Sequence, residues 1–156
     1  MDGPSKSVHL VLLHLGRTRI ALTQRAVRSL EATADVDFSA RSGAALGTIL
    51  VGGSMWPVHA LDEELAPLRT APRERRICAL LAGEHGLFGL LCDEAQVLPR
   101  HALVAYPLPA AMRRAASPVE GVLNLDPGVA LLASSRGLAV AADVAMPDTD
   151  PLQVRR

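Results

Sequence analysis

Ser54 is the residue whose neighbours most suggest a catalytic nucleophile, because it follows two glycines in the segment Gly52-Gly53-Ser54-Met55. In a nucleophile elbow the serine stands in a G-x-S-x-G pattern before a helix, and a base and an orienting acid complete the site. Here the second glycine of that pattern is missing, and no long helical pattern follows Ser54. Paired glycines are typical of a hairpin turn, because glycine adopts backbone angles that other residues resist. We therefore predict a turn at this position and no catalytic residue.

Histidine and cysteine are the usual zinc ligands, but their spacing in this chain indicates no metal site. His9 and His14 are five residues apart, which places them on opposite faces of a strand. Cys78 and Cys92 have no second pair nearby, so we predict two buried thiols in a reducing compartment. Whether the two cysteines share a face depends on the strand register. The other histidines are isolated and are assigned surface or turn roles: His59, His85 and His101.

Two groups of acidic residues, 62–64 and 93–94, are the remaining candidates for acid-base chemistry. Acidic residues at the start of a helix usually form a solvated cap, so we predict a short helical turn over 62–65 that ends at Pro67. The second group follows Cys92, and acidic neighbours raise the pKa of a thiol and suppress its reactivity. Both groups are predicted to be structural, and we expect no metal and no cofactor.

The charge balance excludes several classes of partner. Sixteen basic residues offset sixteen acidic ones, and four aromatic residues are spread singly along the chain, so nucleic acid is not an expected partner. No apolar run reaches the ~20 residues that span a bilayer, and the polar start of the chain does not read as a secretory signal. We expect no membrane insertion and a cytoplasmic location. Four arginines between 69 and 76 are predicted to lie in a solvated connector, with a docking patch for an acidic partner as the alternative.

Short apolar runs, separated by Gly, Pro and charged residues at intervals of about eight to twelve, predict an all-β fold. Residues 24–31 are ambiguous between helix and strand, and we predict a turn that leads into a strand. Residues 33–45 are predicted to be a surface loop, and 134–138 a single helical turn. The predicted strands lie at 8–15, 18–22, 27–33, 45–51, 55–61, 76–81, 87–91, 95–98, 101–106, 119–125 and 129–133.

The strands fall into two successive groups of about five, separated by a connector near 66–76. Closing each group into a barrel removes its exposed edges, so we predict two small five-stranded SH3-like β-barrel subdomains with a few helical turns. The folded domain is predicted over 8–145, between a disordered N-terminus at 1–7 and a disordered tail at 146–156. Trp56 lies on a predicted strand and is assigned to the core, with an interface anchor as the alternative.

Several segments, in this order and spacing, resemble the CheW family of chemotaxis coupling proteins. VLLHLGRTRIAL at 11–22 is similar to the opening hairpin of that family. GTILVGGSMWPV at 47–58 resembles its stretch of Gly, aliphatic run, Leu-Arg-Gly and Pro-Val, and GLLCDEA at 89–95 resembles its Gly-aliphatic-aliphatic-x-Asp-x-Val element. Residues 121–132 are similar to its closing hairpin. The resemblance covers the chain from Val8 to about Val140.

The resemblance implies a fold of two small, intertwined β-barrel subdomains and a function in binding without catalysis. Such adaptors link the tips of methyl-accepting chemoreceptors to the regulatory domain of a CheA-type histidine kinase. By position in the motifs, Val27, Ser29, Leu30 and Gly47 correspond to the kinase-facing surface. The receptor-facing motif corresponds to Gly52, Gly53 and Pro57.

The chain departs from the family pattern at two positions. Gly52 stands where the family usually has Arg before the turn glycine, and Ala60 stands where Asp usually follows Pro-Val-x. With these departures, the resemblance implies a divergent member that serves chemotaxis, a type IV pilus or another chemosensory-like pathway, or a member whose partners have diverged. The alternative, from another class, is a small β-barrel enzyme or ligand-binding domain with a pocket between its two units.

Overall fold

The fold is described from a computed structural model, which defines residues 9–98, 105–108, 117–125 and 128–145. The predicted disordered segments 1–7 and 146–156 lie outside the described residues, as does His101. The described residues form eleven strands, one α-helix and two 3-10 turns at Gln24–Ala26 and Thr33–Asp35. The strands are β1 (Leu10–Leu15), β2 (Thr18–Thr23), β3 (Val27–Ala32), β4 (Gly47–Val51), β5 (Ser54–His59), β6 (Ile77–Ala82), β7 (Leu87–Cys92), β8 (Glu94–Leu98), β9 (Ala105–Pro107), β10 (Val119–Asn124) and β11 (Val129–Ala133), and the helix is α1 (Ser135–Ala141).

The first sheet contains six strands in the order β8-β1-β2-β11-β10-β9. β1 and β2 form the predicted hairpin, in which Leu15 pairs with Thr18 and Gly16 adopts a φ of 63°. β2 and β11 are parallel, and the other pairs of this sheet are antiparallel. The N-terminal hairpin therefore lies in the middle of a sheet whose other strands come from the second half of the chain.

The second sheet contains five strands in the order β3-β6-β7-β5-β4. β3 and β4 are its two edges, and the loop after β3 returns to β4. There, the Asp37 N–H donates to the Thr48 carbonyl at 2.8 Å, and the Thr48 N–H donates to the Asp37 carbonyl at 3.0 Å. These two hydrogen bonds tie the loop that follows β3 to the edge strand β4, so the sheet curls toward a barrel.

Among the described residues, three apolar clusters form the core, and β6 and β7 contribute to two of them because both of their faces are buried. Alternate side chains of β6 point in opposite directions. Ala79 and Leu81 enter a central cluster between the two sheets, whereas Cys78 and Leu80 enter a second cluster inside the curl of the second sheet. A third cluster lies on the far face of the first sheet and includes Leu12. Each sheet therefore has its own small core, and a shared core joins them.

The predicted all-β class with few helical turns is confirmed, but the grouping of strands along the chain differs from our prediction. The connector near 66–76 joins β5 to β6, which both belong to the second sheet. The first sheet combines β1 and β2 with β8 to β11. A period-2 pattern identifies a strand, but it carries no information about which distant strand will pair with it.

Residues 62–65 form a hydrogen-bonded turn, and the predicted helical turn is wrong. One carboxylate oxygen of Asp62 accepts the N–H groups of Glu64 at 2.8 Å and Ala66 at 2.9 Å. An aspartate that binds nearby N–H groups in this way competes with helix formation. Leu65 completes the turn with a φ of 64°.

Candidate functional site

The β4–β5 hairpin is tightly closed by the two glycines that the sequence singled out. Val51 pairs with Ser54, so Gly52 and Gly53 are the two turn residues. Their φ angles are 63° and 82°, and both residues are exposed. A two-residue turn with positive φ at both positions follows the twist of the flanking strands. No atom lies within 4 Å of where a side chain would begin at either glycine, so the turn projects into open space.

The outer face of this hairpin is apolar and exposed. Leu50 and Met55 are directly opposite each other and are 64% and 54% exposed. Pro57 lies two residues after Met55 and is therefore on the same face of β5. Trp56 points to the other face, where it is half-buried against the second core and its indole N–H donates to the Val51 carbonyl at 3.3 Å. Trp56 is thus a partly exposed member of this core.

A groove of about 250 Å³ continues this apolar surface. One wall is formed by β5 and the β6–β7 turn, and the other by α1 and the residues that follow it. Val140 on α1 is 62% exposed at the rim. Its apolar lining residues include Trp56, Pro57, Phe88, Ala139, Val140 and Val144.

Gly86 fits closely against the groove wall. It adopts a φ of 147°, and a side-chain carbon at this position would lie 3.2 Å from the indole ring of Trp56. Glycine is therefore needed here both for its backbone angle and for its lack of a side chain. Near the same turn, Glu84 and Arg136 form an exposed ion pair at 3.3 Å. The charged lining residues thus neutralise each other, and an apolar segment suits the groove.

The predicted kinase-facing residues lie on two elements. Leu30 is half-exposed on β3, whose outward side also carries Arg28 and Ala32. Val27 packs against the central core, and Ser29 is partly buried with no hydrogen-bond partner for its hydroxyl. Gly47 begins β4 at the opposite edge of the same sheet and is buried. Leu30 is therefore the large apolar side chain of this set that is open to contact.

Of the predicted receptor-facing residues, Pro57 lines the groove. Gly52 and Gly53 lie at the tip of the hairpin, away from the groove lining. The α1 side of the groove was not identified by sequence reasoning. The only signal for it was the short apolar run after 134, which indicated a helical turn but not what the turn would face.

Arg75 is also placed differently from the sequence-based prediction, which assigned it to a solvated connector. It is buried, its Nε lies 2.9 Å from Asp93 Oδ1, and its Nη1 donates to the Leu91 carbonyl at 3.3 Å. Asp93 Oδ2 in turn accepts the Gly16 N–H at 3.1 Å. Arg75 and Asp93 therefore fasten the connector to the β1–β2 turn. The docking-patch alternative for the arginine cluster does not apply to Arg75.

The two cysteines lie on adjacent strands but on opposite faces of the second sheet. Cys92 pairs with Ile77 and enters the central core, whereas Cys78 pairs with Leu91 and enters the second core. Burial raises the pKa of each thiol to about 12, and Asp93 adds to the effect at Cys92. Both thiols are free, and their high pKa values keep them protonated and unreactive at neutral pH.

Within the described residues, no group of His, Cys, Asp and Glu side chains has the arrangement of a metal site. None of the described helices is long and apolar enough to cross a lipid bilayer. The arrangement as a whole offers an apolar groove, an exposed apolar hairpin face and the outer side of β3. Such surfaces are suited to binding other proteins.

No protein-family model matches the chain, and no curated protein matches it. Among solved structures, the chain is similar to the scaffolding protein TtCheW from Thermoanaerobacter tengcongensis. The two share 18% sequence identity, and the match covers 85% of this chain and 92% of that chain, with a TM-score of 0.64. At this level of sequence identity, the structural similarity supports a shared fold alone. The chain therefore has a CheW-like fold.

Proposed function

We propose that this protein is a non-enzymatic adaptor of chemotaxis-type signalling, which couples a chemoreceptor tip to the regulatory domain of a CheA-type histidine kinase. The observation that carries the proposal is the apolar surface that runs from Leu50 and Met55 over Pro57 into the groove, on a CheW-like fold. Monomeric proteins rarely leave such a continuous apolar surface uncovered unless it binds a partner. The adaptor is proposed to act in the cytoplasm, in a chemotaxis, type IV pilus or other chemosensory pathway.

The groove is the proposed receptor site. An amphipathic helix binds a groove by placing apolar side chains at helical spacing into it. The receptor tip would contact Pro57 on one wall and Val140 on the other. The Gly52-Gly53 turn lies beyond the groove, where a partner in contact with the hairpin face would reach it.

The outer side of β3 is the proposed kinase site. Leu30 supplies an exposed apolar side chain with Arg28 beside it on the same strand, which resembles the apolar centre and polar rim of protein interfaces. Arg28, Leu30 and Ala32 are all exposed on this outer side, so it is open to a second small barrel. Val27, Ser29 and Gly47 are proposed to support this surface from within.

Two charged substitutions test the two sites separately. Val140→Asp places a carboxylate at the rim of the groove, and Leu30→Asp places one on the outer side of β3. We expect Val140→Asp to weaken binding of receptor-tip fragments from the same genome at least about tenfold while kinase binding is kept, because a desolvated charge costs more than 1.4 kcal/mol. Leu30→Asp should weaken kinase binding by a similar factor and leave receptor binding unchanged. Calorimetric titration with each partner measures both affinities.

Val97→Asp is the matched control, because Val97 is an exposed valine on β8 in the first sheet, outside both surfaces. It should leave both affinities unchanged, and thermal unfolding should show that all three variants are folded. The proposal fails if wild-type protein binds neither partner at tens of micromolar, or if the variants at Val140 and Leu30 bind both partners as the wild type does.

A ligand-binding domain is the second candidate, since the groove lies between α1, which follows the first sheet, and strands of the second sheet. Small-molecule sites usually combine an apolar cavity with a few convergent polar groups. Here Glu84 and Arg136 pair with each other, which favours a protein segment over a small polar ligand. A compound that competes with receptor-tip fragments for the groove at micromolar concentration would support the ligand-binding alternative.

A further inference from the structure

His59 is a buried titratable side chain that the proposed adaptor role does not use. It is the last residue of β5 and is 2% exposed. Neither of its ring nitrogens makes a hydrogen bond of good geometry, and the Ala142 backbone is the one polar group close enough to interact with the ring as a weak hydrogen-bond partner. Buried polar groups in folded proteins are nearly always paired, and a neutral imidazole normally uses one nitrogen as a donor and the other as an acceptor. An imidazole that is buried to this extent and has only a weak backbone contact is therefore unusual.

The ring lies between β7 and the end of α1. The imidazole ring meets the Phe88 ring edge-on, with 6.5 Å between the two ring centroids and an angle of 76° between the ring planes. The Asp143 carboxylate and the Ala142 backbone are the groups that favour the protonated ring, and Asp143 itself is exposed. The other charged or titratable residues that line the groove are Glu84, His85 and Arg136.

Burial lowers the pKa of His59 below its ordinary value of 6.5, and the effects of Asp143 and Ala142 only partly oppose it. The imidazole is therefore neutral at neutral pH. A charge on the buried ring must be hydrated or paired, because an unpaired charge in an apolar core is strongly unfavourable. The charged ring must therefore move toward water or Asp143, or the residues that cover it must move away.

The residues that cover His59 also form the groove. Pro57, two residues earlier on the same face of β5, lines one wall, and Phe88 lines the groove while contacting the imidazole. Ala142 is buried above the ring at the end of α1, between Ala139 and Val144, which line the opposite wall. A displacement of the end of α1 therefore changes the shape of the groove.

We propose that His59 is a pH-sensitive switch: when it is protonated, the end of α1 shifts against β5 and the groove loses its shape. Partner binding in the groove then weakens as the pH falls below about 6.5. The effect on partner binding rests on the proposed function, whereas the response of the groove to pH is a property of this chain alone.

The free protein provides the first test, because Trp56 is the only tryptophan and lines the groove. We expect the emission of Trp56 to change between pH 8 and pH 5, with a midpoint below 6.5. The imidazole signal of His59, followed by NMR, should titrate with the same midpoint. Corrected hydrogen-exchange protection of the Leu138 and Ala142 amides should fall over the same range, while that of the β6 amides stays constant. A His59 signal that titrates at or above 6.5 would overturn the proposal.

Variants separate His59 from other titrating groups. His59→Gln and His59→Leu should each abolish the change in Trp56 emission over this range, and the use of two substitutions guards against a folding defect in one. His85→Gln is the matched control, because His85 is an exposed histidine in the groove lining, and it should keep the change. If the change in Trp56 emission persists in both His59 variants, or vanishes in His85→Gln, a group other than His59 causes it and the switch is refuted.

Binding of a receptor-tip fragment provides the second test. Affinity should fall by up to about tenfold for each pH unit below the midpoint in the wild type, and should stay constant in His59→Gln. If the fragment does not bind at any pH, while Trp56 still responds through His59, the switch stands and the proposed partner is wrong. If the fragment binds and its affinity is the same at pH 5 and pH 8, the switch is refuted and the adaptor proposal stands.

Discussion

At the scale of the residue, the two proposed contact surfaces depend on glycines that act in different ways. Gly47 is buried, and a methyl group there would overlap the carbonyl oxygen of Asp37 and lie 3.0 Å from the Cα of Phe38. Gly52 has open space around it and is required only for its φ of 63°. Gly47 therefore permits the backbone of the loop after β3 to approach β4. Its assignment to the kinase-facing surface stays a prediction.

We expect Gly47→Ala to lower the free energy of unfolding by about 1 to 3 kcal/mol, the usual cost of an overpacked site. Gly52→Asn should cost less than about 1 kcal/mol, because Asn tolerates a positive φ and meets no neighbouring atoms here. Urea unfolding of both variants measures the difference. Equal losses in the two variants would show that the Asp37 contact does not limit the size of residue 47.

At the scale of the element, a partly buried ion pair fastens the connector between β5 and β6 to the first sheet. Arg75 reaches Asp93 and the Leu91 carbonyl, and Asp93 reaches the turn of β1 and β2. Glu63 reinforces the same turn, since its carboxylate accepts the Arg17 N–H at 2.5 Å. This network joins elements of both sheets at one corner of the molecule.

Arg75→Met should lower the free energy of unfolding by about 3 kcal/mol, because it leaves the partly buried Asp93 carboxylate without its cation. Arg76→Met is the control, since Arg76 is the exposed neighbour and should change stability by less than about 0.5 kcal/mol. Thermal and urea unfolding at neutral pH provide the measurement. A loss below 1 kcal/mol for Arg75→Met would mean that the pair contributes little to this corner.

At the scale of the whole molecule, His59 contacts Phe88 of the central core, which joins the two sheets, so the burial of His59 affects the stability of the entire fold. The unfolded chain binds a proton at His59 more readily than the folded chain, because the folded pKa is lowered. The contribution of His59 to the free energy of unfolding is therefore fully present above the pKa of 6.5 that the group has in the unfolded chain. It is lost as the pH falls from that value toward the lower pKa of the folded chain. Hydrogen bonds from Ser39 lower the pKa of Asp37, so the stability that the Asp37 carboxylate contributes is lost only as the pH falls below 3.8, the ordinary pKa of this group.

The free energy of unfolding should therefore decrease between pH 6.5 and pH 5, with a slope of up to about 1.4 kcal/mol for each pH unit from this one group. His59→Leu should remove this part of the slope. Urea unfolding at half-unit steps of pH measures it, with His85→Gln as the reference. A slope that is the same in wild type and His59→Leu would contradict the linkage.

Much of the local structure could be predicted from the sequence alone. The paired glycines determined the β4–β5 turn, and the short apolar runs determined most of the strands, because turn angles and side-chain alternation depend on nearby residues. The resemblance of 47–58 and 89–95 to a known family also indicated the fold that the structure comparison supports. No cofactor or metal was predicted.

Only the tertiary structure decided which strands pair, which polar groups are buried and where the groove lies. β1 and β2 lie in one sheet with strands that follow residue 93, and Arg75, His59 and Val140 acquire their environments from residues far away in the chain. Long-range pairing and burial depend on the sum of many weak contacts across the molecule, so no local pattern encodes them. That is why the sequence predicted an exposed Arg75 and an isolated His59, whereas the folded chain buries both.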